Sequence, residues 1–253
     1  MTALLVESLW AGYAGVPAVR DVSFACEAGQ VLSVLGPNGA GKTTTLLAVS
    51  GAIQPLSGQV RIDDVDITGQ PPQSAARRGL ILVPDDRGLF PNLTVAEHLN
   101  LAVRSAPARR KGAPEVGRDD VLGRFPRLEE VMHRQCGYLS GGEQQMLAIA
   151  KALLLAPRVL LVDELSMGLA PIVVQALLPR ISELARDTGM AVVLVEQHYE
   201  LALAVSVNAL VMNHGEVVLG GLAADWLAHP ESLEKAYFGA TADEREAPVS
   251  RTD

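Results

Sequence analysis

Four short stretches of the chain are almost entirely aliphatic, with no alternation of polar and apolar positions. They lie at residues 30–36, 79–84, 158–164 and 190–197. Uniformly apolar strands of this length are typical of a parallel sheet that is covered on both faces. A further segment, 209–221, predicts a hairpin that turns at 213–215. The pattern therefore predicts an α/β fold with a mainly parallel sheet.

Helical periodicity replaces the strand pattern between Pro91 and Ala156. Three segments there have helical spacing, at residues 93–103, 120–132 and 141–156. We expect a helical subdomain that is inserted into the α/β core. Outside it, "KTTTLLAVSGAI" predicts a helix that ends near Gly51. A long helix should begin at Pro171 and bend at Pro179, because proline removes a backbone hydrogen bond inside a helix.

The remaining segments are polar. The basic cluster "RSAPARRKG" at 104–112 also contains proline, glycine and serine, so a solvated loop explains it better than a binding patch, and a loop is expected at 105–119. The tail at 241–253 is polar and expected to be disordered. The length of 253 residues then predicts a single domain over 1–240, with the helical subdomain at about 91–156.

Charge and composition exclude several classes of protein. The net charge is −8, which argues against nucleic acid as a partner because such binding relies on Lys and Arg. The longest apolar runs are too short and too interrupted to span a bilayer. The first residues lack the basic region of a signal peptide. We therefore expect a soluble protein that reaches a membrane only through another protein. Cys26 and Cys136 lack metal spacing and are interpreted as reduced cytosolic thiols.

The strongest motif is "GPNGAGKT", which matches G-x-x-x-x-G-K-[ST] between a predicted strand and a predicted helix. In such a loop the backbone N–H groups surround the phosphates, Lys42 adds a charge and Thr43 offers its hydroxyl to Mg²⁺. The helix that follows directs the positive end of its dipole at the anion. The predicted nucleotide-binding residues are Gly36, Pro37, Asn38, Gly39, Ala40, Gly41, Lys42, Thr43 and Thr44.

Acidic residues end the apolar strand at 158–164. Asp163 is placed to hold Mg²⁺ through water, and Glu164 to polarise the attacking water as a general base. A helix cap or solvated turn would explain an isolated Asp-Glu pair, but not one that follows a buried strand in a protein with a phosphate loop. His198 follows the strand at 190–197 and could hydrogen-bond the γ-phosphate. A lone histidine is more often structural, so this role depends on the other residues.

A second anion-binding pattern, "LSGGE" at 139–143, stands before a helix about a hundred residues after the first. The phosphate loop, "LSGGE", "VLLVDE" and a histidine after a strand, in this order, resemble the ATPase subunits of ABC transporters over nearly the whole chain. The resemblance implies a P-loop NTPase (RecA-like) core, N-terminal antiparallel β elements and a helical subdomain that carries "LSGGE". It also implies ATP and Mg²⁺ as cofactors, and ATP hydrolysis coupled to transport.

The family also explains why one chain has two anion-binding patterns. Its ATPase domains pack head to tail in pairs, and each ATP lies between the phosphate loop of one subunit and the "LSGGE" signature of the other. By resemblance, the second pattern belongs to the nucleotide of the neighbouring subunit. The residues implied in partner contacts are the signature Ser140, Gly141, Gly142 and Glu143 and the dimer-loop residues Ser166 and Gly168.

A finer resemblance is to the LivF-type ATPases of branched-chain amino acid importers. It rests on "RGLFPNLTVAEHL", "YLSGGEQQMLAIAKALL", "GLAPIVV", "VEQH" and "KAYFG". It implies that Tyr13 stacks on adenine; Trp10 is the alternative, and edge packing would explain either residue without function. The implied partners are a second ATPase, permease subunits and a periplasmic or extracellular solute-binding protein. The protein would then lie at the cytoplasmic face of the membrane. The family's pairing of two different ATPases favours a heterodimer over a homodimer.

Two positions depart from the family pattern. Asp85 stands where relatives have Gln or Glu, which contacts Mg²⁺ or its water and senses the permease. Asp85 either reaches the metal, through a water, or caps a turn. Leu165 replaces the usual proline before Ser166. These departures bear on coupling and rate, not on nucleotide binding.

Other functions fit parts of the sequence. Related transport systems move urea or amides, and a soluble ABC ATPase of iron–sulfur cluster assembly has the same motifs. An ABC ATPase of DNA repair or chromosome structure fits less well, because the segment between phosphate loop and signature holds no zinc module or long coiled coil. A degenerate subunit that only binds nucleotide is disfavoured by the intact Lys42, Asp163, Glu164 and His198.

Overall fold

The computed structural model describes residues 1–106, 116–231 and 233. The predicted tail at 241–253, the "KAYFG" segment and most of the predicted loop at 105–119 lie outside these residues and stay predictions. Within the described part of the chain, no helix is both long enough and apolar enough to cross a membrane.

Strands and helices alternate from β6 onward except in a run of helices between β6 and β7 and at the pair β9-β10, and strands predominate before β6. The strands are β1 Thr2–Tyr13, β2 Val16–Glu27, β3 Val31–Leu35, β4 Pro55–Ile62, β5 Val65–Asp66, β6 Leu80–Val83, β7 Val159–Asp163, β8 Ala191–Glu196, β9 Asn208–Asn213 and β10 Glu216–Leu222. The helices are α1 Lys42–Val49, α2 Pro72–Arg77, α3 Val95–Ser105, α4 Arg118–Arg124, α5 Pro126–Glu130, α6 Gly141–Leu154, α7 Pro171–Thr188, α8 Tyr199–Leu203 and α9 Ala223–Ala228, with a 3₁₀ turn at Cys136–Tyr138.

The predicted apolar strands form one six-stranded sheet in the order β10-β9-β3-β8-β7-β6. All neighbours in it are parallel except β10, which pairs antiparallel with β9. Every residue of β3, β7 and β8 is buried, which explains their uniformly apolar composition. The hairpin between β9 and β10 turns at His214 and Gly215, both with positive φ, as a tight hairpin requires. The predicted strands, hairpin and fold class are confirmed.

A second sheet, ordered β2-β1-β4-β5 and wholly antiparallel, forms the N-terminal part of the protein. Its apolar face packs against α1 and one face of the central sheet, in a core that includes Leu4, Leu46 and Val193. This arrangement places the hairpin between β1 and β2 beside the loop that precedes α1. The expected N-terminal antiparallel elements are therefore present.

The helices α3 to α6 lie between β6 and β7 in the chain and form the inserted subdomain. The expected helical segment at 120–132 is broken into α4 and α5. Phe125 leaves the helical conformation with φ −128° and ψ 65°, because the residue before a proline is disfavoured in a helix. Its side chain fills the subdomain core instead. In α7, the helix continues as one element on both sides of Pro179.

A buried histidine fixes the entry to this subdomain. The Nδ1 atom of His98 lies 3.0 Å from the carbonyl oxygen of Thr94, and its Nε2 accepts a hydrogen bond from the Phe90 N–H at 2.9 Å. An imidazole that accepts at one nitrogen and donates at the other is neutral. Burial lowers the pKa of His98, and the charge on Lys151 also lowers it; the hydrogen bond to Thr94 and the charge on Glu97 oppose them.

We expect this histidine to make the protein less stable in acid. An unfolded histidine takes up a proton below its ordinary pKa of about 6.5, whereas the lowered pKa of His98 keeps the folded side chain neutral to a lower pH. Its contribution to stability is therefore complete above that pH and lost as the pH falls, by at most about 1.4 kcal/mol per pH unit. Thermal unfolding from pH 7.5 to 5.5 would show a flatter pH dependence for His98→Gln than for the wild type. His133→Gln, a change at an exposed histidine of the same subdomain, should keep the wild-type slope. Parallel slopes for the wild type and His98→Gln would contradict the assignment.

Candidate functional site

The loop at 36–41 between β3 and α1 depends on glycine. Gly36, Gly39 and Gly41 have φ values of 145°, 79° and 101°, which other residues rarely adopt. A Cβ atom on Gly36 would lie 2.2 Å from the carbonyl oxygen of Met212, and one on Gly41 would lie 3.0 Å from that of Ala18. The loop therefore packs tightly against its surroundings and leaves its other face open for a ligand.

Lys42 begins α1 and is buried inside this loop. Its Nζ donates hydrogen bonds to the carbonyl oxygens of Gly36 at 2.8 Å and Pro37 at 3.0 Å. Burial lowers the pKa of Lys42, and the charges on Glu164, Asp163 and Glu196 oppose that effect. The ammonium group is thus fixed at the loop. A cavity of about 280 Å³ opens there, lined by Ala18, Asn38, Gly39, Ala40, Gly41, Lys42, Thr43, Thr44 and Glu164.

Asp163 at the end of β7 has the properties of a metal ligand. Its side chain is buried, and among the described residues its Oδ1 has no hydrogen-bond partner. Burial raises the pKa of Asp163 to about 6; the hydrogen bond from Thr43 lowers it, the charges on Glu164 and Asp85 raise it, and Lys42 lowers it. A divalent cation would provide the missing partner for this oxygen. Thr43 and Asp163 therefore fit Mg²⁺, with further ligands from water and phosphate, as is common for this ion.

Glu164 follows directly and lines the same cavity. Its backbone has φ 46°, and its N–H donates to the carbonyl oxygen of Val195 at 3.0 Å. Gln197 donates from Nε2 to Glu164 Oε1 at 2.9 Å. This hydrogen bond holds the half-buried carboxylate toward the cavity. The sequence reasoning assigned no role to Gln197; the signal was a polar residue just beyond a buried strand.

Glu196, which was also missed, anchors the predicted dimer loop. It is 1% exposed, and its two oxygens accept hydrogen bonds from the Ser166 N–H at 2.9 Å and the Ser166 hydroxyl at 2.5 Å. Burial raises the pKa of Glu196 while the hydrogen bonds from Ser166 and Gln197 lower it. Leu165, which precedes this serine, is buried in the core. The loop therefore starts from a fixed point, and Met167 and Gly168 beyond it are exposed.

His198, Tyr13 and Trp10 all lie outside the cavity lining. His198 is exposed and follows β8, the parallel neighbour of β7, so it lies at the same edge of the sheet as Asp163. Tyr13 is 53% exposed and pairs with Val16 across the hairpin whose second strand carries Ala18. Trp10 is half-buried and pairs with Ser57. The exposure of Tyr13 makes it better suited to stacking than Trp10, and both functional roles stay predictions.

The signature forms the start of α6. Ser140 caps the helix: its hydroxyl accepts from the Glu143 N–H at 3.3 Å, and its own N–H donates to Glu143 Oε2 at 2.8 Å. A Cβ atom on Gly142 would lie 2.9 Å from Val173, so the helix start packs closely against the start of α7. A cavity of about 390 Å³ lies here, lined by Arg127, Ser140, Gly141, Gly142, Glu143, Met146, Gly168, Leu169, Ala170 and Val173.

The two cavities have no lining residue in common. The described part of one chain therefore does not bring its own signature to its own phosphate loop. If both cavities take part in binding one nucleotide, the second must come from another subunit.

Arg87 connects three parts of the site that are distant in sequence. Its guanidinium donates to Gln145 Oε1 at 3.0 Å, to Gln144 Oε1 at 2.6 Å and to the carbonyl oxygen of Met167 at 3.2 Å. It thereby links the segment after β6 to the signature helix and to the dimer loop. The sequence did not predict a role for Arg87, because a single arginine in the turn-like segment "DDRG" belongs to no motif and no periodic pattern.

Asp85 is exposed and accepts a hydrogen bond from the Asp86 N–H on its Oδ1 at 2.9 Å. This bond joins adjacent residues; the contact two residues on that closes an Asx turn is made by Asp86, whose Oδ1 accepts from the Gly88 N–H at 2.9 Å. Asp85 is nevertheless close enough to Asp163 for its charge to raise the pKa of that residue. Contact with Mg²⁺ through water stays a prediction.

Replacing Asp85 with alanine tests that prediction. We expect the Mg²⁺ concentration for half-maximal hydrolysis to rise by about tenfold, the scale seen when groups around metal ligands are removed. ATP affinity should change little, and stimulation by a permease should be lost. Asp86→Ala is the matched control, because Asp86 Oδ1 accepts only from the nearby Gly88 N–H among the recorded hydrogen bonds. An unchanged Mg²⁺ titration with normal stimulation would leave only the turn cap.

Comparison with known proteins identifies the architecture. The model of the ABC transporter family matches residues 19–166, more than half of the chain. The chain belongs to the ABC transporter family. As an ABC ATPase it carries the phosphate loop and Asp163 within the matched range, and the signature in the inserted helical subdomain.

Three relatives of this ABC ATPase are matched over nearly their whole length. BraG of Pseudomonas aeruginosa, a high-affinity branched-chain amino acid transport ATP-binding protein, is 38% identical over 90% of this chain and 95% of its own. LivF of Archaeoglobus fulgidus, a probable branched-chain amino acid transport ATP-binding protein, is 36% identical over 90% of this chain and 95% of its own. LptB of Escherichia coli, the ATP-binding protein of a lipopolysaccharide export system, is 32% identical over 94% of this chain and 98% of its own. A nucleotide-free ATP-binding cassette from an ABC transporter superimposes with a TM-score of 0.79 at 23% identity, covering 94% of this chain and all of that one, and shows the shared fold.

Proposed function

We propose that this ABC ATPase hydrolyses ATP to energise the import of branched-chain or related amino acids through a membrane permease. We infer that each ATP lies between two subunits. The observation that supports this is that the phosphate-loop cavity and the signature cavity of one chain have no lining residue in common. The cargo assignment is supported by the similarity to BraG and LivF. LptB, which belongs to a lipopolysaccharide export system, is less similar, at 32% identity.

The chemistry follows from the cavity at the phosphate loop. The backbone N–H groups and Lys42 bind the triphosphate, and Thr43 and Asp163 would hold Mg²⁺, which neutralises charge on the phosphates. Glu164 takes a proton from a water molecule while the water oxygen attacks the γ-phosphorus and the bond to the β–γ bridging oxygen breaks. Gln197 keeps the Glu164 carboxylate turned toward that water. The products are ADP and inorganic phosphate.

The proposed assembly contains a second ATPase subunit, permease subunits and a periplasmic or extracellular solute-binding protein. A heterodimer of two different ATPases is the favoured arrangement, by analogy with the branched-chain systems. The protein would then lie at the cytoplasmic face of the membrane, held there by the permease. The exposed Ser140 at one cavity and the exposed Met167 and Gly168 beside it are the surfaces that would meet the partner ATPase.

Copurification and uptake together test this proposal. We expect the tagged protein to copurify with an integral-membrane permease, and the reconstituted complex to accumulate labelled leucine, isoleucine or valine in an ATP-dependent manner. A complex with Lys42→Ala is the matched control, because it keeps the assembly and loses nucleotide binding. Uptake of urea or amides would overturn the cargo, and copurification with soluble iron–sulfur assembly proteins would overturn the transport role.

A further inference from the structure

The signature contains a negative charge where an anion is expected to bind. Glu143 lies in the first turn of α6, and its side chain is 7% exposed. Although burial acts to raise it, the hydrogen bonds from Ser140 and Arg127 hold the pKa of Glu143 below its usual value, so the side chain is a carboxylate. A carboxylate stabilises the start of a helix, but it also opposes the approach of a triphosphate to the same helix end.

Both oxygens of Glu143 are engaged within the chain. Oε2 accepts from the Ser140 N–H, and Oε1 accepts from Arg127 Nε at 2.8 Å. The sequence predicted Glu143 as a contact to the partner's ATP. That contact stays a prediction; within the chain its side chain supports the cap, and Arg127 is the cation that balances it.

Arg127 combines this ion pair with a place in the cavity wall. It comes from α5, lines the signature cavity with Ser140, and is 49% exposed. It also forms an ion pair with Glu130, which is 63% exposed. Another cation, Arg134, approaches Glu143 Oε2 only to 4.0 Å, too far for a hydrogen bond. Arg127 is therefore the cation that directly neutralises the acid of the signature.

We propose that Arg127 is a positioning residue of the shared ATP site: it neutralises Glu143 and holds it against the helix cap, so that the start of α6 accepts the partner's triphosphate. This inference rests on the proposed function, because it assumes that the signature binds the nucleotide of a second subunit. The role of Arg127 is electrostatic, so removing Glu143's charge should remove the need for it.

A pair of substitutions tests this compensation. Arg127→Gln removes the cation that is hydrogen-bonded to Glu143 and leaves only Arg134 at 4.0 Å, and we expect the ATP-dependent dimer with the cognate ATPase subunit to weaken by about tenfold or more. Glu143→Gln keeps the helix cap, since glutamine serves at this position of a capping box as well as glutamate. The double variant Arg127→Gln/Glu143→Gln should therefore return the dimer dissociation constant to within about threefold of the wild type.

Salt and control variants separate charge from structure. The defect of Arg127→Gln relative to the wild type should shrink between about 0.1 M and 1 M salt, as the Debye length falls from about 10 Å to about 3 Å. Arg127→Lys keeps the charge and should dimerise nearly as the wild type does. Glu130→Gln removes the exposed partner of Arg127 and should have no effect, because exposed pairs contribute little. ATP binding to the isolated subunit should be the same in every variant.

Two results would overturn the inference. One is an Arg127→Gln variant that dimerises like the wild type. The other is a dimerisation defect of Arg127→Gln that persists when Glu143→Gln is added. Removing the charge of Glu143 would not restore dimerisation if Arg127 acted only through packing. Failure of the wild type itself to dimerise in ATP would instead count against the shared site, so the two failures are distinguishable.

Discussion

A Glu164→Gln variant will bind ATP like the wild type and hydrolyse it at least about a hundredfold more slowly. The amide cannot accept the proton of the attacking water, while the phosphate loop and Lys42 are unchanged. The substitution is nearly isosteric, and the amide oxygen can still accept the hydrogen bond that Gln197 donates to Glu164 at 2.9 Å. We also expect ATP to hold the dimer closed, because the step that would open it is blocked.

Phosphate release and molecular size in ATP and Mg²⁺ measure the two effects together. Glu200→Gln is the matched control: it makes the same change at an exposed acid in the first turn of α8, outside the cavity lining. That control should keep wild-type turnover. Turnover of Glu164→Gln within severalfold of the wild type would contradict its assignment as the general base.

Ser140→Arg should have the second large effect, and on a different part of the cycle. Arginine cannot accept the hydrogen bond from the Glu143 N–H as the serine hydroxyl does, and its bulk would enter the signature cavity. We expect ATP-dependent dimerisation with the cognate subunit to fall by about a hundredfold or more, since a large charged side chain would block the close approach of the helix start. Nucleotide binding to the isolated subunit should be unchanged, because Ser140 is not in the phosphate-loop cavity.

A second capping box in the same chain offers the control. Thr94 caps α3 with Glu97 in the same way that Ser140 caps α6 with Glu143. Thr94→Arg should cost a similar amount of stability, about 1 kcal/mol for a lost cap, without the loss of dimerisation. Comparing the two variants separates the damage to a helix cap from the damage to the signature. Unchanged dimerisation in Ser140→Arg would mean that the signature does not complete the partner's site.

The conformation of the phosphate loop could be predicted from sequence because its parts are contiguous. The loop from Gly36 to Thr43 lies within one segment, and its glycines are required locally by positive φ angles and close backbone contacts. The position of Asp163 and Glu164 beside the loop could be predicted because a fully buried strand ends there, and the ends of parallel strands meet at one edge of the sheet. The break between α4 and α5 was missed, although the proline that causes it was visible, because helical spacing continues across it.

Only the tertiary structure determined which residues support Glu164, Ser166 and the signature helix through hydrogen bonds. Gln197 reaches Glu164 and Glu196 reaches Ser166 because β7 and β8 are adjacent in the sheet, although each pair is separated by about thirty residues. Arg87 meets Gln144 and Met167 only when the helical subdomain is packed on the core.

The same distinction holds at the signature. The sequence by itself determined that "LSGGE" would begin and cap a helix, because the capping contacts run between residues three positions apart. Only the tertiary structure decided that Arg127, sixteen residues from Glu143, supplies the balancing charge. Hydrophobic and glycine patterns specify local conformation. The partner of a buried charge depends instead on which helices pack together, and a single arginine belongs to no periodic pattern from which that partner could be predicted.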